Sequence, residues 1–238
     1  MPRTAFVLIF TLAATPCWSV ADDARALTLD ESSFALEKIT SSDEREDASA
    51  DARRTAAAAP SLEEIANVGS KFWRIIEANR PVADAKTQYA TALPKGVTRW
   101  TDMTDWQPPR ADVYELSAKN VYGVTVLRIR YKVLRTYGGR YRGKGRYLTA
   151  VTVEPTLIDV AWGYSCALEA SVPESSVVNV GTSDDPVAGM TATLTWRVKT
   201  VVGVSQGKGL YFLDGNGALS EVGGLFSADA VDTPSRNR

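Results

Sequence analysis

From Val124 to Leu134 the chain reads VTVLRIRYKVL, and Leu127, Ile129, Tyr131 and Val133 alternate there with Arg128, Arg130 and Lys132. A period of two sends successive side chains to opposite faces of an extended backbone, so this stretch predicts a strand with one apolar and one basic face. An apolar strand face needs a second layer to cover it, which commits the chain to a layered β architecture. Further strand candidates are Asp112–Leu116, Tyr147–Val153, Leu157–Tyr164, Ala192–Val202 and Leu210–Leu213. Their separators carry turn chemistry: Asn120–Gly123, Gly138-Gly139, Gly143-Lys144-Gly145, Gly207-Lys208-Gly209 and Asp214-Gly215-Asn216-Gly217. Strands with glycine turns and no helical pattern between them predict a mostly β fold, an antiparallel β-sandwich or a small barrel-like sheet.

One α-helix is expected ahead of the strands, packed on the sheet. Ser61 with Glu64 three residues on forms a capping-box pattern after Pro60. Ile65, Val68, Phe72, Ile75 and Ile76 then recur at helical spacing, and Asn79-Arg80-Pro81 supplies a stop.

The N-terminus has the three parts of a secretory leader. Arg3 gives the positive start, Ala5–Ala14 the apolar run, and Ser19-Val20-Ala21 the small-x-small cleavage signature. The run is shorter than the roughly 20 residues a bilayer demands. Cleavage is expected after Ala21, with no transmembrane helix in the mature form and a secreted or periplasmic destination. A lipoprotein signal at Cys17 is the competing reading, and Pro16 directly before that cysteine fits it poorly.

Residues 22–59 carry ten acids against five bases and few large apolar side chains, the pattern of an acidic, disordered tail. The domain organisation that follows is 1–21 leader, 22–59 tail, 60–227 helix plus β-sandwich and 228–238 a frayed C-terminal tail. Loss of the leader removes Cys17 and leaves Cys166 alone, so no intramolecular disulfide is expected and Cys166 reads as a small buried residue.

The chain contains no histidine. That excludes Ser-His-Asp and Cys-His catalysis and His-ligated metals, and neither a cofactor nor a metal is expected. Gly203-Val204-Ser205-Gln206-Gly207 has the letters of a nucleophile elbow, but a strand rather than a helix follows it. Asp214–Gly217 resembles the start of a calcium loop, yet Ala218 breaks the ligand spacing, and Asp184-Asp185-Pro186 reads as a turn. Gly143–Leu148 and Gly207–Phe212 echo one another only as shared turn chemistry.

Two constellations remain as candidate sites. The first is a basic block: Arg128, Arg130 and Lys132 on one strand face, then Arg140, Tyr141, Arg142, Lys144 and Arg146 in the segment YGGRYRGKGRY. Cations interleaved with aromatics and glycine suit an extended polyanion through charge and stacking. The ordinary use of such residues is solvation or edge protection of a sheet, and docking of the acidic tail is a further use. The second constellation is Trp100 and Trp106 bracketing Asp102 and Asp105, the materials of a sugar site. Turn capping and tryptophan packing are the plainer account of it.

The function expected is therefore an exported, non-enzymatic binding or structural protein of the envelope or extracellular space, contacting an anionic polymer through its basic hairpin. Expected partners are an anionic glycan, a lipid head group or an envelope protein, and no nucleic acid. The alternatives are a glycan-active enzyme using Asp102, Asp105 and Glu115, and a small outer-membrane β-barrel.

Overall fold

A computed structural model of the chain describes residues 24–39, 65–82 and 89–222. The expected leader, most of the acidic tail and the C-terminal tail lie outside those residues.

The described chain is antiparallel β-sheet in two layers. The first sheet contains β1 (Leu29–Ile39), β2 (Ile65–Asn67), β5 (Ala90–Pro94), β6 (Arg110–Asn120), β7 (Thr125–Tyr141) and β8 (Lys144–Val160), in the order β1-β6-β7-β8-β5-β2. The second contains β3 (Phe72–Glu77), β4 (Arg80–Pro81), β9 (Ser165–Ser171), β11 (Ala188–Lys199), β12 (Val204–Asp214) and β13 (Leu219–Glu221), in the order β13-β12-β11-β9-β3-β4. A short β10 (Val178–Asn179) pairs with the start of β11. Both sheets are open, with β1 and β2 as edges of one and β13 and β4 of the other, so neither closes into the barrel that was the alternative. Among the described residues no helix is long and apolar enough to cross a membrane.

The core follows from the alternation. Leu127, Ile129, Tyr131 and Val133 of β7 are buried, as are Tyr114, Leu116 and Ala118 of β6. They meet Met190, Leu194, Trp196 and Val198 of β11 and Tyr211 and Leu213 of β12. Tyr211 packs edge-on against Tyr114, ring centroids 4.9 Å apart, which ties the two layers together. Arg135 continues the inward row of β7 with 4% of its surface exposed. Its Nη1 donates to Asp112 Oδ2 at 2.5 Å, and Nε and Nη2 donate to the Gly217 carbonyl at 2.9 and 2.6 Å. A buried guanidinium is tolerable only when its donors are satisfied in this way.

Two expectations are corrected. The helix predicted from Ser61 is absent over residues 65–77, where β2 and β3 run instead. The described helical structure is a turn at residues 24–26 and single 3-10 turns at Trp100–Asp102 and Glu174–Ser176. The cause is a register shift between Arg74 and Ile76 against β9, which buries Ile75 and Ile76 consecutively. A bulge of this kind breaks the period of two and imitates helical spacing. Of the anticipated stripe, Val68 and Phe72 face solvent. The second correction concerns residues 29–39, read as part of a tail, which form the edge strand β1 on β6. Phe34 stacks on Trp196 with centroids 4.2 Å apart, and Leu29 and Leu36 of the same strand also pack against the core.

Candidate functional site

The basic block divides in two. Arg128, Arg130 and Lys132 point outward from β7, where cross-strand neighbours neutralise them. Arg130 Nη2 lies 2.7 Å from Glu115 Oε2, Arg128 Nε 3.8 Å from Glu115 Oε1, and Lys132 Nζ 2.9 Å from Glu154 Oε2. This half of the block is a solvated ion-pair ladder of the kind that stabilises a sheet face weakly.

The other half surrounds the tip of the β7–β8 hairpin. Tyr141 pairs with Lys144 around the two-residue loop Arg142-Gly143, whose φ values are 53° and 77°. Two left-handed residues in succession make a turn whose twist matches that of the strands it joins. Arg142 lies over the Tyr141 ring, 5.1 Å from its centroid, and Lys144 is exposed.

Just below the tip, glycines let three backbones meet. Gly138, with φ of 80°, donates to the Gly215 carbonyl at 3.0 Å, and Gly215 donates to Ala188 at 2.7 Å. A side chain at Gly215 would stand 2.1 Å from the Arg146 carbonyl, so this approach needs glycine. On the other side, Thr104 and Arg140 exchange backbone hydrogen bonds of 3.0 and 2.8 Å. Trp106 lies over Gly139, where a Cβ would meet its ring at 2.4 Å, and its indole N–H donates to the Trp100 carbonyl at 3.2 Å.

The result is an open pocket of about 530 Å³ lined by Asp105, Gln107, Tyr137, Arg140, Arg146 and Asn216, with Gly138 and Gly215 at its floor. The Arg140 side chain makes no ion pair among the described residues. Arg146 Nη2 lies 3.0 Å from Asp185 Oδ2, with both side chains about half exposed. The pocket thus offers one uncommitted guanidinium, a second shared one, an amide from each of two loops, a tyrosine ring and one carboxylate. Such a set can grip an anion on the guanidiniums and hydroxyls on the amides and the carboxylate.

Of the residues singled out from sequence, the fold brings Arg140 and Arg146 into the pocket, and leaves Tyr141, Arg142 and Lys144 at the hairpin tip outside its lining. Trp106 supports the wall, and Trp100 remains half exposed beside it. The stripe of Arg128, Arg130 and Lys132 stands apart. Tyr137, one of the rings that the sequence offered for stacking, lines the pocket, whereas Tyr147 is buried. Gln107 and Asn216 were not placed by sequence, because the bridging of residues 104–107 and 214–217 to one hairpin is a tertiary matter. The three candidate carboxylates do not converge. Asp105 lines the pocket, Asp102 pairs with Arg99 at 3.6 Å in the neighbouring turn, and Glu115 is held on the outer sheet face.

The remaining motifs resolve as turns and strand. Asp214 Oδ1 accepts the backbone N–H groups of Asn216 and Ala218 at 2.9 and 3.0 Å, an Asx turn that engages its carboxylate. Ser205 lies in β12 and donates to Glu31 at 3.0 Å. Cys166 is buried and unpaired, and burial pushes its thiol up to about 12. Comparisons with protein-family models, curated proteins and solved structures find no match to this chain.

Proposed function

We propose that this protein is an exported binding module of the cell envelope or extracellular space that takes an anionic glycan at the basic end of its sandwich. Export rests on the leader pattern of residues 1–21. The observation that carries the binding reading is the contrast between the two halves of the basic block. The stripe on β7 is ion-paired to Glu115 and Glu154, whereas Arg140 shares its pocket with Asp105 but makes no ion pair among the described residues, and Arg142 and Lys144 add positive charge at the neighbouring hairpin tip. Clustered charge of one sign beside a concave surface concentrates a polyanion, and a guanidinium meets a carboxylate or sulfate with two parallel hydrogen bonds. Tyr137 adds an aromatic ring, and Gln107 and Asn216 add groups suited to hydroxyls.

The test is binding of polygalacturonate, a carboxylate glycan, at low and moderate salt. Affinity is expected to fall steeply as salt rises. The variant Arg140→Gln/Arg142→Gln/Lys144→Gln is expected to lose about tenfold or more in affinity, the scale of a few uncompensated charges near a pocket. Neutralising Arg128, Arg130 and Lys132 instead is expected to change little. Equal losses in the two triple variants, or no binding by the native chain to this or a sulfated glycan, overturn the proposal.

A further inference from the structure

The end of the sandwich remote from the basic hairpin has the opposite character. Three uncharged connections meet there, 121–124 between β6 and β7, 161–164 between β8 and β9, and 200–203 between β11 and β12, beside the β3–β4 turn, where Asn79 donates to the Tyr164 and Cys166 carbonyls. Their proximity follows from the pairing. Ala161 donates to the Val126 carbonyl at 2.9 Å, and Lys199 stands opposite both Ser165 and Val204. The N-terminal turn clamps two of them, since the Ala26 carbonyl accepts from Asn120 Nδ2 at 3.1 Å and Tyr164 Oη at 2.8 Å.

These tips read Val-Tyr-Gly-Val, Ala-Trp-Gly-Tyr and Thr-Val-Val-Gly, without a single charged residue. Exposed connections are ordinarily polar. Here Trp162 is 90% exposed and Val201 83%, and Val121, Tyr122, Val124 and Val202 are each about half exposed. Isolated surface apolar residues need no explanation, but three adjacent tips of the same kind do. The tips at the other end carry Arg142, Asp184, Asp185 and Asp214, so the apolar character belongs to one end and not to the loops in general.

We infer that this apolar end seats on the interface of a lipid bilayer that contains anionic lipid. Tryptophan and tyrosine favour the head-group level, where a ring is half wet and half apolar, and valine side chains reach below it. Lys119 and Lys199, both exposed, stand just behind two of the tips and make no ion pair among the described residues. Cations at that height meet phosphates. The acids at this end are engaged: Asp30, opposite Lys119, accepts from Ser32, Glu31 accepts from Ser205, and Asp159 is opposite Arg128 in the strand register. The inference goes beyond the glycan reading and does not depend on it.

The test is cosedimentation of the chain from Asp22 onward, which keeps every described residue and omits the apolar leader, with vesicles of phosphatidylcholine and phosphatidylglycerol at three to one. The native chain is expected to partition onto the vesicles and its tryptophan fluorescence to be quenched by brominated lipid, with that quenching lost in Trp162→Ala. Trp162→Ala and Val201→Asp, both at solvent-exposed positions that leave the core intact, are each expected to lower partitioning by about tenfold, the effect of one buried large side chain. Arg140→Gln is expected to leave it unchanged, which separates this result from the glycan test. Absence of vesicle binding, or equal binding by the native chain and the two tip variants, overturns the inference. So does concentration-dependent self-association that Val201→Asp abolishes in a chain that ignores vesicles.

Discussion

The hydroxyl oxygens of Tyr131 and Tyr211 lie 2.7 Å apart inside the sandwich, one from each sheet. Burial raises both phenols above their ordinary range, so both stay protonated and one donates to the other. Removing either hydroxyl strands its partner without water. Tyr131→Phe and Tyr211→Phe are each expected to cost about 1–2 kcal/mol. The double variant is expected to cost about 1 kcal/mol less than the sum of the singles, because it leaves no orphan. A double-mutant cycle in urea checks this, and additivity would sink it.

Asp112 joins β1, β6 and β7 to the turn before β13. It accepts from Arg135 and from Lys38 Nζ, each at 2.5 Å. Burial alone would raise its pKa, but the two cationic donors outweigh that and hold the carboxyl below its ordinary value. A group with a depressed folded pKa contributes stability that is complete above its unfolded value and lost as pH falls through the folded one. The native chain is therefore expected to lose this contribution below about pH 4. Asp112→Asn, which leaves buried Arg135 without its counter-charge, is expected to cost about 3 kcal/mol at neutral pH. The gap between native and variant urea midpoints should narrow on acidification, and a gap independent of pH would contradict the assignment.

Arg142 occupies a left-handed turn position that asparagine tolerates better than arginine. Arg142→Asn is expected to raise stability by about 0.5 kcal/mol while weakening binding to an anionic glycan. Opposite signs in a thermal melt and a binding titration would show that the cation serves contact rather than folding. A variant that is both less stable and a weaker binder would argue against that separation.

In the chain from Asp22 onward Cys166 is the sole cysteine. Buried on β9 with its thiol raised, it is expected to react with iodoacetamide on the order of a hundredfold more slowly in the folded chain than in denaturant. Labelling rates followed across a urea series should track global unfolding. Rapid labelling in native buffer would mean that β9 opens locally.

Strand content was legible where burial obeys a strict period, as in β7, whose apolar row Leu127 to Val133 is the inner face of a sheet. The predicted strand stopped at Leu134, whereas β7 runs on to Tyr141. Beyond Leu134 the row carries buried Arg135 and then bulges at Gly138 and Gly139, so hydropathy no longer reports the strand. β3 was misread for the related reason that its bulge counterfeits a helical stripe. β1 was missed because a register shift between Asp30 and Ala35 breaks the alternation of its apolar residues Leu29, Phe34 and Leu36, and the polar run Asp30–Ser33 lies between them. At the candidate site, charge clustering pointed to Arg140 and Arg146. It gave no sign that Glu115 and Glu154 cancel the stripe beside them, because cross-strand partners far apart in sequence decide that.

β7 reaches from the uncharged loops at Thr125 to the turn at Arg142, a span of about 50 Å at the rise of an extended chain. Mobile salt erases a surface charge's influence within about 8 Å. The two poles are thus several screening lengths apart and electrically deaf to one another. Substitutions at one pole should add to those at the other without cross-talk. Any message between them would have to travel as strain along the hairpin itself.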